Sequence, residues 1–276
     1  MKAYVELVRA PAALTVLGDT VAGAAFGAGL GGRRAALPLA SVAFYWAGMA
    51  LNDWSDRGLD AVERPERPIP SGRVAPAAAL GIAAGLTAVG LGIATAAGRG
   101  RAAVPLAAAV WAYDLVFKQT PAGPVAMAAC RALDVLMGGG RAALPAAVAI
   151  GGHTLGVTAL SRGEVHGGST GLARGVLAGT AASAVAACAG PARSWRHRVA
   201  GAAGALAYAG FVGRAQLDAA RAPTAGAIRT ATKAGIHGMV PLQSALAARA
   251  GSATAAALVA CALPLARRLG RKVGPT

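Results

Sequence analysis

Long apolar runs govern what this chain can become. A helix crossing a hydrocarbon core of about 30 Å needs roughly 20 mostly apolar residues, because lipid offers no partner to a bare backbone. Such runs recur at about 10–30, 36–52, 75–97, 102–117, 121–139, 142–160, 171–190, 197–213 and 251–268 of the 276 residues. They predict about nine spans and short loops, a single polytopic domain over 1–276 with no room for a separate soluble one. The runs are unalternating Ala, Leu, Val and Gly, so they read as helices; barrel strands would alternate every second residue. The expected fold is an all-α integral membrane protein. The stretch 214–250 carries Arg214, Asp218, Arg221, Arg229, Lys233 and Arg249 and is too polar for a simple span. Its 232–248 part reads as a short membrane-embedded or interfacial helix broken near Pro241.

The apolar run from Ala10 is too long for a cleavable signal peptide. The first helix and the 57–73 loop place the N-terminus inside, and the expected location is a bacterial plasma membrane, multi-pass. Lys and Arg number 27 against 11 Asp and Glu, a net charge of +16. That surplus first suggests nucleic acid. Yet the basic residues come in ones, twos and fours between apolar runs, as at Arg33-Arg34 and Arg267-Arg268 with Arg271-Lys272. This is the pattern of membrane loops and headgroup anchors, so membrane lipids are expected partners and nucleic acid is not. Three cysteines make no disulfide framework.

The scarce acids carry more information. Five of the eleven fall between 53 and 66, in the segment opening Asn52-Asp53-Trp54-Ser55-Asp56-Arg57-Gly58-Leu59-Asp60. Offsets of three and four put Asp53, Asp56 and Asp60 on one helical face with Asn52 beside Asp56. Carboxylates so close repel unless a cation compensates, and hard oxygen ligands suit Mg²⁺, which bridges to substrate phosphates. The bland alternative is a solvated helix end paired with Arg57, Arg64 and Arg67. Acids avoided elsewhere in an apolar chain weigh against it. The following Arg64-Pro65-Glu66-Arg67-Pro68-Ile69-Pro70-Ser71-Gly72-Arg73 reads as an extended, proline-held stretch whose arginines can clamp diphosphate oxygens.

The combined string NDWSDRGLDAVERPERPIPSGRV resembles the first motif of the UbiA superfamily of intramembrane prenyltransferases. The resemblance implies about nine transmembrane helices around a central cavity, Mg²⁺–diphosphate held by aspartate motifs, and an allylic chain in an apolar tunnel. It assigns Asn52, Asp53, Asp56 and Asp60 to the metal and Arg64 and Arg67 to the diphosphate. Tyr113 and Lys118 resemble the Tyr-x4-Lys closing the family's fourth helix, where the lysine meets the diphosphate. Arg131 and Asp134 lie three apart within a span and stand as cavity candidates, or as a self-neutralising pair.

The second motif departs from the family. Instead of several aspartates the chain reads Leu160-Ser161-Arg162-Gly163-Glu164-Val165-His166. Ser161 and Glu164 keep the three-residue spacing. Glu164 is the candidate ligand of a second cation, Arg162 a direct diphosphate contact, and His166 a base or ligand. His153, His197 and His237 are expected to be structural. The variant motif resembles a less familiar branch whose acceptor is not the quinone-precursor acid. The expected function is Mg²⁺-dependent transfer of an isoprenyl group from a prenyl diphosphate donor to a lipophilic or small acceptor. The competing class is a non-catalytic polytopic protein or a transporter of a lipid-like metabolite.

Overall fold

A computed structural model describes residues 1–189 and 192–273, with side chains beyond Cys261 only at Pro264 and Arg268. Helix follows helix: α1 (Lys2–Leu7), α2 (Leu17–Phe26), α3 (Leu37–Ser55), α4 (Arg57–Glu63), α5 (Pro76–Ala96) and α6 (Gly100–Ala112). Then come α7 (Gly123–Gly139), α8 (Leu144–Ser161), α9 (Thr170–Cys188), α10 (Trp195–Arg221), α11 (Ala225–Arg249) and α12 (Ala253–Val273). No strand occurs among the described residues.

Five stretches among the described residues are long and apolar enough to cross a membrane: Gly32–Ser55, Pro76–Ala96, Gly100–Phe117, Gly123–Ser161 and Thr170–Cys188. The fourth holds both α7 and α8. These stretches do not confirm the expected count of nine. The run at 10–30 is not one span: a 3₁₀ turn over Ala10–Thr15 precedes α2, which is only 10 residues long. Arg9, at φ 47° in the left-handed region, separates α1 from that turn, at a cost of about 1–2 kcal/mol for a residue with a Cβ.

The 214–250 stretch departs further from expectation. It is the end of α10 followed by one continuous helix, α11, with Pro241 inside it and no break. Pro241 removes one backbone donor, and packing by neighbouring helices carries the helix through. Residues Ile228, Ala231, Gly235, Gly238, Leu242, Ala245 and Arg249 of α11 are buried at helical spacing. Small residues set the approach: a Cβ on Gly23 of α2 would lie 2.0 Å from the carbonyl oxygen of Val135 in α7. Such contacts replace the hydrophobic drive that lipid does not supply between helices.

Outside the spans, the Arg73 guanidinium donates to Glu6 at 2.6 Å. That hydrogen bond holds the Glu6 carboxyl below its ordinary range.

Candidate active site

The end of α3 builds the first half of the site. The helix yields at Asp56, with φ −88° and ψ 1°, and α4 restarts at Arg57. Ladder bonds continue across the joint, Asp56 N to Asn52 O at 2.9 Å and Asp60 N to Asp56 O at 2.8 Å. The three carboxylates therefore stay within two turns but do not converge on one point. Asp53 and Asp60 both accept from Arg67, at 3.2 and 2.9 Å, and Arg64 stands 3.7 Å from Asp60. Asp56 instead pairs with Lys118 at 2.7 Å. No three His, Cys, Asp or Glu side chains group into a ready metal cage among the described residues. Cations divide the acids, because burial of Asp53 and Asp60 without compensation would be prohibitive.

The expected extended stretch after Arg64 is instead a series of turns. Arg67 N bonds Arg64 O, Ser71 N bonds Arg67 O, and Val74 N closes on Pro68 O. Those turns carry Arg67 back over Asp53 and Asp60, which an extended chain would not do. Lys118 arrives from a π-helical turn over Tyr113–Phe117 at the end of α6, a distortion frequent at functional sites. Its Nζ also donates to Ser55 Oγ at 2.6 Å. Asn52 is oriented by Asp114, which accepts from its Nδ2 at 3.2 Å and leaves Oδ1 outside that bond.

These groups border a cavity of about 1820 Å³, larger than the roughly 300–1,000 Å³ of a typical small-molecule pocket. Of the expected residues, Asn52, Tyr113, Arg131, Ser161 and Glu164 line it. Asp53, Asp56, Asp60, Lys118, Arg64 and Arg67 lie behind that wall. Arg9 links the two, lining the cavity while donating to Asp53 at 3.1 Å.

The second motif is only half assembled. Ser161 closes α8, and the turn after it brings Glu164 to the cavity. Arg162 is exposed and donates to the carbonyl of Thr120; His166 is exposed and does not line the cavity. Neither lines the cavity as expected for a diphosphate or metal contact. Gly167, at φ +82°, lets the turn press against the α10–α11 linker, and Gly168 N bonds Pro223 O at 3.0 Å.

Arg131 and Asp134 are not a pair. Arg131 bonds Asp19 of α2 at 2.9 Å, and Asp134 accepts from Ser41 Oγ at 2.6 Å. Gln243 of α11 also donates to Asp19, at 2.6 Å. His153, expected to be structural, is buried with its ring nitrogens meeting Gly235 O at 2.9 Å and Tyr208 OH at 2.7 Å, and it also lines the cavity. Arg9, Asp19, Asp114 and Gln243 were not among the residues singled out from sequence. The signal for Asp19 and Asp114 was available, since an acid inside an apolar run is a functional candidate by default.

The UbiA prenyltransferase family model matches residues 13–226. A digeranylgeranylglyceryl phosphate synthase of Methanopyrus kandleri is 44% identical over 104 residues, 36% of this chain and 37% of that protein. Another from Ignicoccus hospitalis is 42% identical over 126 residues, 44% of this chain and 40% of the relative. The matches thus span about two fifths of those curated relatives. A solved structure of a UbiA homologue from Archaeoglobus fulgidus bound to DMAPP and Mg²⁺ superposes with a TM-score of 0.63. It is 17% identical and covers 87% of this chain and 99% of its own. A structure concerned with digeranylgeranylglyceryl phosphate synthase in membranes gives a TM-score of 0.64 at 16% identity, over 90% of this chain and 98% of its own. The fold is shared with both. The matched relatives are archaeal, so the expectation of a bacterial membrane finds no support in them.

Proposed function

The chain belongs to the UbiA prenyltransferase family, and from that premise and the geometry we propose that it transfers an isoprenyl group from a prenyl diphosphate to a hydroxyl of a prenylated glyceryl phosphate lipid. The activity for which the archaeal relatives are named supports the acceptor class. One observation carries the reading: the Asp53–Asp60 acids, interleaved with Arg67 and Lys118, adjoin Asn52 and Arg9, which line a cavity of about 1820 Å³.

The donor set fits Mg²⁺. Arg9 and Arg67 take Asp53 through Oδ1 and Lys118 takes Asp56 through Oδ1, so each carboxylate keeps an oxygen outside those contacts. Asn52 Oδ1 adds a third hard donor at the cavity wall. Mg²⁺ bound there would supply charge neutralisation to the leaving diphosphate, using one or two carboxylates with waters and phosphate oxygens. Arg9, Arg67 and Lys118 add fixed positive charge where the diphosphate gains electrons as the allylic C–O bond breaks. Apolar wall residues, among them Met49, Met127, Val157 and Met239, keep water from the allylic cation. The acceptor hydroxyl oxygen then forms the new C–O bond with a lone pair and gives up its proton. Glu164 faces the cavity and takes that proton; no metal-sized group of acids surrounds it among the described residues.

The test is purified protein in nanodiscs with Mg²⁺, geranylgeranyl diphosphate and a monogeranylgeranyl glyceryl phosphate. Diphosphate release and a product heavier by one geranylgeranyl group are expected. The reading fails if no donor in a chain-length panel is consumed, or if Asp56→Ala keeps full activity.

A further inference from the structure

A second charged region of the same cavity is not used by the diphosphate half of the site. Arg214 on α10 and Lys233 on α11 both line it, and neither forms an ion pair among the described residues. Asp218, four residues from Arg214, lines the same cavity and stands 3.9 Å from Arg221. The antiparallel register of the two helices brings them together. Gly204 packs on Ala245 and Gly238 on Val212, so residue 214 faces the 233–237 turn of α11.

Beside them, Thr232 lines the cavity, is 4% exposed, and its Oγ1 is buried without a hydrogen-bond partner. A buried hydroxyl left unpaired is costly, and beside it Arg214 and Lys233 stand as exposed cations on the cavity wall. Such a group of donors is complete only with an anion. The position also suits an acceptor. Thr230 and Lys233 share a face of α11, and the Arg229 guanidinium at the same turn bonds the carbonyl of Glu164 at 3.2 Å.

We infer that Arg214, Lys233 and Thr232 form a phosphate-monoester subsite that anchors the head of the acceptor lipid and presents its hydroxyl toward Glu164. This rests on the proposed function and adds the acceptor's anchoring residues. The same chemistry is offered by a bilayer phospholipid headgroup, and the experiment separates the two. Radiolabelled monogeranylgeranyl glyceryl phosphate and its dephosphorylated alcohol are titrated onto protein in phosphatidylcholine nanodiscs, for wild type, Asp56→Ala, R214Q/K233Q and R214K/K233R. Transfer kinetics are recorded for the same set.

Loss of two charge-assisted contacts predicts at least about a tenfold weaker affinity and a correspondingly raised acceptor KM in R214Q/K233Q. The donor KM stays unchanged, and discrimination between phosphorylated and dephosphorylated acceptor disappears. R214K/K233R and Asp56→Ala bind like wild type. Unchanged acceptor affinity in R214Q/K233Q overturns the assignment. So does an effect that appears only when phosphatidylglycerol is added, which would mark a headgroup anchor. If no variant or wild type transfers a prenyl group while the binding pattern holds, the subsite stands and the catalytic reading falls.

Discussion

The two motif regions differ in how they handle charge. At Asn52–Arg73 three carboxylates meet Arg9, Arg64, Arg67 and Lys118, with Asp53 and Asp60 buried. At Ser161–His166 one half-buried carboxylate lines the cavity while Arg162 and His166 are exposed and do not line it. The first region is an electrostatic lattice of paired acids and cations, and under the proposed function it is where Mg²⁺ and diphosphate bind. The second has a single acid and no lattice. Motif spacing alone makes the two look like versions of one device; the pairing shows that only one is built to gather charge.

The comparison breaks most directly at Asp56. Asp56→Ala removes the Lys118 partner and the proposed metal donor, and kcat/KM should fall by roughly 10³-fold or more while membrane insertion persists. An effect below tenfold would erase the contrast. Glu164→Gln should cost about 10²-fold in kcat and leave the Mg²⁺ dependence and donor KM as they are. A shifted Mg²⁺ requirement in that variant would make the second region a metal site after all.

Stability gives a third comparison, away from the motifs. Asp19→Ala strands Arg131 in the interior and should destabilise by about 3–5 kcal/mol, with Asp19→Leu plus Arg131→Met recovering most of it. Thermal unfolding in detergent reads both. The smallest effect is expected at Glu6. Its carboxyl lies below the ordinary 4.5 because Arg73 bonds the charged form. The pair therefore stabilises fully above that value, and its contribution is lost as pH falls through the lowered folded value. The Glu6→Gln variant should unfold like wild type at the acid end and slightly earlier near neutrality.

Legibility followed sequence distance. Asn52 through Asp60 were readable because a dense acid pattern in an apolar chain is rare, and Lys118 because it closes an apolar run. Arg9 was not, since its partner Asp53 lies 44 residues away. Asp19 meets Gln243 across 224 residues, and no local period encodes that pairing. The alternative of an Arg131–Asp134 pair shows the same limit: each finds its partner on another helix, Asp19 and Ser41. Pro241 misled in the opposite direction. Its local rule breaks a helix, whereas the small and apolar residues spaced through it from Ile228 to Ala245 already traced a continuous buried face.

The central claim is that the first region alone holds the metal–diphosphate pair. Electron paramagnetic resonance titration of Mn²⁺ in place of Mg²⁺, with an unreactive geranylgeranyl diphosphate analogue, tests it across wild type, Asp56→Ala and Glu164→Gln. Wild-type Mn²⁺ affinity in Glu164→Gln with binding abolished in Asp56→Ala is the predicted result. Loss of bound Mn²⁺ in Glu164→Gln, or its retention in Asp56→Ala, would contradict the account.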